Sequence, residues 1–428
     1  MPKIGDGLDA VTAFTGAAVA GMALFLPFTF SAASAVGSPY RVTSLVNSVP
    51  RAAALGLIVA VVVAVLVRPV NRPGLVWLTA TCGAVVLAVN YFIAGAMTSA
   101  DVLTTQNYID SLSGGVVYGA LGICALRMRW PALGALGFAL GTVVVFVYGE
   151  VVAVFTTDSA MTETTMHTPA GMIVVFVVLL VASTLRHRHG VMLPAQTRLA
   201  ADLPITPIVA ATVLALSALL ATEWLSHEFD GRRASGWQVG IAVVVSVVAA
   251  FVAALLLPGR DGAGVLLAVS LAAAADSLGD APNLGWSVVV VLTLATAGML
   301  TGVRWPTPWL ALLGIAAICL FAIGATQISW SFVWTIGVGL LAGVAGYTFA
   351  SIRVSYLPSA VLGLGALYLP SILWAIPTRL RNWPVGGMTA AEATPGRAAL
   401  AITIGAAAGL ALLYRIRPTA SATVVSSS

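Results

Sequence analysis

From Trp237 to Leu257 the chain runs twenty-one residues without a charged side chain, and from Pro308 to Ile328 it does so again. A bilayer core of about 30 Å is crossed by roughly 17–25 such residues wound as a helix. Runs of this kind recur near 10–32, 52–67, 75–97, 113–126, 132–156, 169–185, 205–226, 237–257, 262–278, 284–302, 308–328, 332–350, 357–376 and 398–414. A lipid-exposed backbone must satisfy its own hydrogen bonds, and these runs are too long for barrel strands. The sequence therefore predicts an all-α polytopic integral membrane protein of about 14 (12–14) transmembrane helices. Composition agrees: 8% of residues are charged, against about 25% in a soluble domain, so most of the surface must face lipid. No connection is long enough to bury a soluble core.

The joints suggest an internal repeat. Arg129-Trp130-Pro131 and Arg304-Trp305-Pro306, 175 residues apart, each link two apolar runs. Trp suits a membrane interface, and Pro starts a helix without wasting a backbone donor. The expected plan is a six-helix repeat over 1–185, a basic connector over 186–204, a second six-helix repeat over 205–350, a helix pair over 351–417 and a disordered tail over 418–428. Lys3 and twelve Arg fall on one side of the alternating spans and seven Arg on the other. Cytoplasmic loops hold the excess of basic residues. Both termini are thus expected in the cytoplasm of a multi-pass plasma (inner) membrane protein, and the Ala-, Val-, Gly- and Arg-rich composition suggests a bacterial one. Ala33-Ser34-Ala35 resembles a signal-peptide cleavage site, but the run from Ala10 to Ala32 is long for one. The first span is read as uncleaved.

Six plus six helices about a central basic loop resemble the major facilitator superfamily, whose halves are related repeats. That family has a tight joint between its second and third helices containing Gly, an acid and basic residues. The matching stretches here are Arg68-Pro69-Val70-Asn71-Arg72-Pro73-Gly74 and Pro258-Gly259-Arg260-Asp261-Gly262. The first lacks the acid, and neither has the full pattern. What the resemblance implies is a secondary transporter. Fourteen spans also suit lipid flippases and polysaccharide exporters.

Ionisable side chains inside spans are functional candidates because they are costly to place there. Glu150 is the foremost, in the fifth run with Tyr148 close by. Gly137, Gly141 and Tyr148 share one stripe, and Glu150 lies well over 100° around from it. Its expected role is a proton- or cation-coupling carboxylate or a contact to a polar substrate. The alternative is a local pairing with an Arg or a hydroxyl. Asn90, Glu223, Asp276 and Gln327 fall toward the outer ends of odd-numbered runs. They read either as an outward vestibule or as helices growing polar at the interface.

Other features carry less. Cys82, Cys124 and Cys319 sit in apolar runs as small hydrophobes. The cluster Ser226-His227-Glu228-Phe229-Asp230-Gly231-Arg232-Arg233 reads as a solvated outer loop, and His187 and His189 among Arg186 and Arg188 as a positive anchor near lipid. No metal site, cofactor or nucleic-acid partner is expected, and no P-loop or nucleophile elbow occurs. Spans without inward Lys or Arg suit a neutral, amphipathic or lipidic substrate. Two other readings stay open: an integral-membrane transferase using a lipid-linked donor, with His167, Asp158, Glu163 or His227 as its polar groups, and a non-catalytic subunit of an envelope or secretion complex. An enzyme is the lesser expectation. Partners are the bilayer and a small-molecule or lipid substrate, with the oligomeric state open.

Overall fold

A computed structural model of the chain describes residues 4–25, 39–94, 100–128, 131–148, 170–188, 205–230, 236–278, 287–325, 331–352, 354–376 and 394–418. Among these are fourteen α-helices and no strand: α1 (Ile4–Phe25), α2 (Pro39–Val67), α3 (Pro73–Ala94), α4 (Ala100–Leu126), α5 (Pro131–Tyr148), α6 (Ala170–His187), α7 (Thr206–Asp230), α8 (Gly236–Leu256), α9 (Ala263–Leu278), α10 (Ser287–Arg304), α11 (Pro308–Ala325), α12 (Ser331–Ser351), α13 (Leu357–Gly365) and α14 (Thr394–Ile416). They correspond one for one with the fourteen apolar runs. Proline opens α2, α3, α5 and α11 and stands second in α7, α13 and α14, positions where its missing N–H costs nothing. Ten of the helices, counting α13 with its 3-10 continuation to Ala375, are long and apolar enough to cross a membrane, and the other four are shorter apolar helices. Large apolar side chains such as Val178, Val244, Leu300 and Leu313 stand exposed around the outside, as a lipid-facing surface requires.

Helix α2 begins at Pro39 and α4 at Ala100, thirteen residues before the runs expected at 52 and 113. The polar stretch Thr104-Thr105-Gln106-Asn107 looks like a loop by hydropathy, yet it is helical and buries Gln106 and Asn107 inside the protein. The fully buried Asn107 amide donates to Ser48 Oγ at 2.9 Å, and Ser111 Oγ donates to the Ala23 carbonyl at 3.2 Å. The expected outer loop from Ser226 is likewise corrected: Ser226 to Asp230 form the last turn of α7, where Glu228 accepts from Gln238 Nε2 of α8 at 3.2 Å.

In the first bundle α2 packs on α4, α1 on α4, α5 and α6, and α3 on α4 and α6. Among the later helices α10 packs on α12, α9 on α12, α13 and α14, and α11 on α12 and α14. Helices α7 and α8 pack on each other; α7 also lies on α2, and α8 on α9 and α14. The two sets meet through α2 against α13, α5 against α10, α4 against α13 and α5 against α12.

Side chains at one end of the bundle tie its helix termini together. Arg127 donates to the carbonyls of Arg68 and Val70 at 2.8 and 3.0 Å, closing the α2–α3 joint. Arg417 donates to the carbonyls of Leu255, Leu257 and Gly259, filling acceptors left open where α8 ends. Gly259 turns the chain there with φ +55°, which favours a residue without Cβ. Asp261, 2% exposed, accepts from Ser355 N and Oγ, both at 2.9 Å, and from Tyr356 N at 2.8 Å, so it holds the start of α13. Above Tyr356 the Arg68 guanidinium lies 4.2 Å from the ring centroid.

Asp261→Ala leaves those donors without their acceptor and should cost about 3 kcal/mol, seen as a lowered melting temperature in detergent. Burial pushes the Asp261 carboxyl above its ordinary value, against the pull of its hydrogen bonds. The folded state then holds this proton more tightly than the unfolded one. Its contribution is full below the unfolded pKa and is lost as pH rises through the folded one. Wild type should therefore gain stability relative to Asp261→Asn as pH falls from neutral toward the ordinary carboxylate range, and paired melts measure this.

Candidate functional site

The thirteenth run does not form one helix. Helix α13 ends at Gly365, passes through a 3-10 turn at Ala366–Tyr368, extends at Leu369 and Pro370, and resumes as a 3-10 turn at Ile372–Ala375. The residue before a proline disfavours helix, and Pro370 has no N–H to continue the ladder. At 1.5 Å per residue the break lies about 20 Å from the start of α13, roughly two-thirds of the way across a hydrocarbon core of about 30 Å.

Both sets of helices grip this break. On one side Asp276 of α9 accepts through Oδ2 from Ser371 N at 3.2 Å and from Ser371 Oγ at 2.6 Å. Ser371 Oγ in turn accepts from Leu373 N at 3.2 Å, starting the second 3-10 turn. On the other side Tyr368 donates to the Thr142 carbonyl of α5 at 3.0 Å. Tyr118 of α4 is 2.9 Å from Thr142 Oγ1 and meets the Tyr368 ring edge-on at 5.8 Å. All three are buried. Gly21 of α1 makes room, since a Cβ there would run into the Tyr368 hydroxyl. A cleft opens beside the break between α7, α8, α9 and α14.

Of the residues singled out in the sequence, Asp276 is part of this arrangement. Asn90 lies elsewhere, donating to Asp110 Oδ1 at 2.8 Å and to the Gln106 carbonyl at 3.2 Å across the α3–α4 contact. Glu223 of α7 pairs with Arg51 of α2 at 2.5 Å; with the Arg51 side chain 48% and that of Glu223 31% exposed, such a pair is worth at most about 1 kcal/mol. The recorded partners of Asn90, Glu223 and Asp276 are thus three separate sets. Glu150, Gln327 and the side chain of Tyr148 lie outside the described residues, as do Arg129, Trp130, Asp158, Glu163, His167 and His189.

His187 departs from its reading as a lipid anchor. It stacks on Trp77 with ring centroids 5.7 Å apart and lies 2.8 Å from Asp9 Oδ2, which also takes Arg186 Nη1 at 2.6 Å. With Thr12 against Ser183 at 3.1 Å and Thr81 against Thr184 at 2.9 Å, this clamp closes α1, α3 and α6 at the basic end. Tyr118, Thr142, Tyr368 and Ser371 escaped sequence reasoning; the usable signal was two hydroxyl residues flanking Pro370 inside an apolar run. Among the described residues no three of His, Cys, Asp and Glu gather where they could hold a metal.

No family model and no curated protein matches the chain. Solved structures do. The proton:xylose symporter XylE bound to 6-bromo-6-deoxy-D-glucose superposes with a TM-score of 0.53 at 13% identity, covering 97% of this chain and 95% of that one. A partially occluded inward-open XylE from E. coli gives 0.52 at 13% identity, over 97% and 98% of the two chains. The likeness runs nearly the full length of both chains, and the fold is that of the major facilitator superfamily.

Proposed function

From the major facilitator fold that these helices adopt, we propose that the protein is a secondary transporter of the plasma membrane for a neutral, amphipathic or lipidic substrate, with both termini cytoplasmic. The observation that carries this reading is the break in α13: a discontinuous helix inside the hydrocarbon core, held by hydroxyls from one set of helices and by a carboxylate from the other. Transporter folds place substrate contacts at such interruptions. The basic end, which carries the start of α1 and the end of α14, is the cytoplasmic one by its excess of Arg.

The repeats we assign are α1–α6 and α9–α14, with α7 and α8 between them, in place of a division at 205–350. Several packing pairs of the first set have a counterpart eight helices on: α2 on α4 with α10 on α12, α3 on α6 with α11 on α14, α1 on α5 with α9 on α13. The contacts between the sets obey the same exchange. Second meets fifth in α2–α13 and in α10–α5; fourth meets fifth in α4–α13 and in α12–α5. A two-fold axis along the membrane normal requires this reciprocity, and rocking of the two bundles about it would expose the break to each side in turn.

The test needs no substrate. Spin labels at Arg72→Cys and Arg304→Cys, both exposed at the cytoplasmic end of opposite bundles, are placed in a Cys82→Ser background. Two distance populations in lipid nanodiscs, whose ratio changes with pH or lipid composition, are expected. A single narrow distance under all these conditions overturns the transport reading.

A further inference from the structure

We infer that the clamp of Asp9, Arg186, His187 and Trp77 is a pH-controlled latch, in which protonation of His187 docks the start of α1 onto the end of α6 and deprotonation releases it.

Asp9 is 2% exposed, and a charge so enclosed is stable only with its partners in place. Its Oδ2 takes both Arg186 Nη1 at 2.6 Å and His187 Nε2 at 2.8 Å, while its Oδ1 is buried without a hydrogen-bond partner. Arg186 is shared: it also donates to the Gly5 carbonyl and reaches Asp6 Oδ1 at 3.4 Å. The imidazolium form of His187 therefore completes the neutralisation of Asp9. The His187 ring also stacks on Trp77 of α3, with planes 2° apart. An indole face within about 6 Å attracts a cation, so both contacts of the ring strengthen on protonation. Histidine changes charge between about pH 5 and 8, and the His187 side chain is 27% exposed, open to protons from the basic end.

Among the described residues no other cation contacts Asp9. Helices α3 and α5 carry no Asp, Glu, Lys or Arg, and Arg72 ahead of α3 and Arg188 beyond α6 are exposed. On α4, Cys124 lies within electrostatic reach of Asp9 and of Arg127, and Arg127 is committed to the carbonyls of Arg68 and Val70. Arg68, at the end of α2, lies over Tyr356.

The second bundle repeats the contacts beneath this clamp and replaces the clamp itself. Thr12 with Ser183 and Thr81 with Thr184 correspond to Ser270 with Thr403 at 2.9 Å and Cys319 with Thr403 at 3.7 Å. At the end of α14, however, Arg417 donates to backbone carbonyls, and an arginine keeps its charge throughout the physiological range. The pH thus bears on the first bundle through α1, whose Gly21, about 18 Å beyond Asp9, backs the Tyr368 hydroxyl.

The full chain, labelled with 5-fluorotryptophan and placed in nanodiscs, is followed by fluorine NMR, with the Trp77 resonance assigned by Trp77→Phe. That resonance should move through one transition between about pH 5 and 8. It should stay still in His187→Gln, which keeps a side-chain donor without the charge. A spin label at Gly7→Cys, where a Cβ meets nothing within 4 Å, reports docking in a Cys82→Ser background. Its mobile fraction should rise about two- to fivefold from the acid to the alkaline limit. It should be high at both limits in His187→Gln and low at both in His187→Arg. Should His187→Gln melt early, His187→Arg decides: a label whose mobility still follows pH in that variant overturns the latch. A Trp77 resonance or a Gly7→Cys label indifferent to pH in the otherwise unchanged protein overturns it too, as does a transition that survives His187→Gln. Neither readout depends on the bundles rocking.

Discussion

Gly119→Val in α4 and Gly346→Val in α12 will each remove the protein from the folded, monodisperse fraction. A Cβ at Gly119 would land on the Ala60 carbonyl oxygen of α2, and one at Gly346 on the Ala295 carbonyl oxygen of α10, both well inside van der Waals contact. The obstacle is backbone within a helix, so no rotamer change relieves it and the whole helix must withdraw. Close approach through small residues is how helices associate in a membrane, where lipid tails are as apolar as the side chains. Overpacking commonly costs about 1–3 kcal/mol even when neighbours can give. Here it separates the α2–α4 and α10–α12 crossings, and the loss should reach about 4 kcal/mol or more. Gly171 of α6 and Gly240 of α8 have nothing within 4 Å of the same Cβ position, and valine at either should shift the melt by no more than ~2 °C. Size-exclusion profiles and melts of the four variants decide it. A monodisperse Gly119→Val would mean that α2 and α4 do not cross as closely as described. Equal damage at paired positions of α4 and α12 would further support the assigned repeats.

Several spans were readable because the apolar run stops at Arg, Pro or both: Arg68-Pro69, Arg127, Arg186 and Arg304 with Pro306 all mark helix ends. What hydropathy conceals is polar sequence buried by protein instead of lipid. Gln106 and Asn107 extend α4 because Asn107 finds Ser48 and Gln106 lends its carbonyl to Asn90, and no window average registers such pairing. The matching Arg-Trp-Pro joints point to α4–α5 and α10–α11 as equivalent, whereas the repeats we propose pair α2–α3 with α10–α11. Membrane joints favour Trp and Pro individually, so two similar joints arise without common position in a repeat. For the site, Asp276 was visible as a charge in an apolar run. Tyr118 and Tyr368 were not, because a tyrosine with one satisfied hydroxyl is nearly indistinguishable from a core aromatic in sequence.

Asp276→Ala should loosen the break in α13 without disturbing its start. The carboxylate is the acceptor for both the amide and the hydroxyl of Ser371, and its removal leaves two donors in the bilayer interior with no equal replacement. Losing a hydrogen bond to a charged group costs about 1.5–3 kcal/mol. At about 1.4 kcal/mol per factor of ten, amide exchange across Ile372–Ala375 should quicken roughly 10- to 100-fold. Asp276→Asn keeps an oxygen in place and should fall between the variant and wild type. Ser355 and Tyr356, held by Asp261 at the basic end of the bundle, should exchange at the wild-type rate in both. Hydrogen–deuterium exchange in nanodiscs resolves the two regions of one helix. Uniform acceleration through α13 would make Asp276 a general stabiliser, and no acceleration would show that Pro370 alone holds the break. Selective acceleration would identify the Asp276–Ser371 contact as the hold that α9 keeps on the interrupted helix within its own bundle, leaving the Tyr368–Thr142 contact as the one that rocking of the bundles would have to make and break.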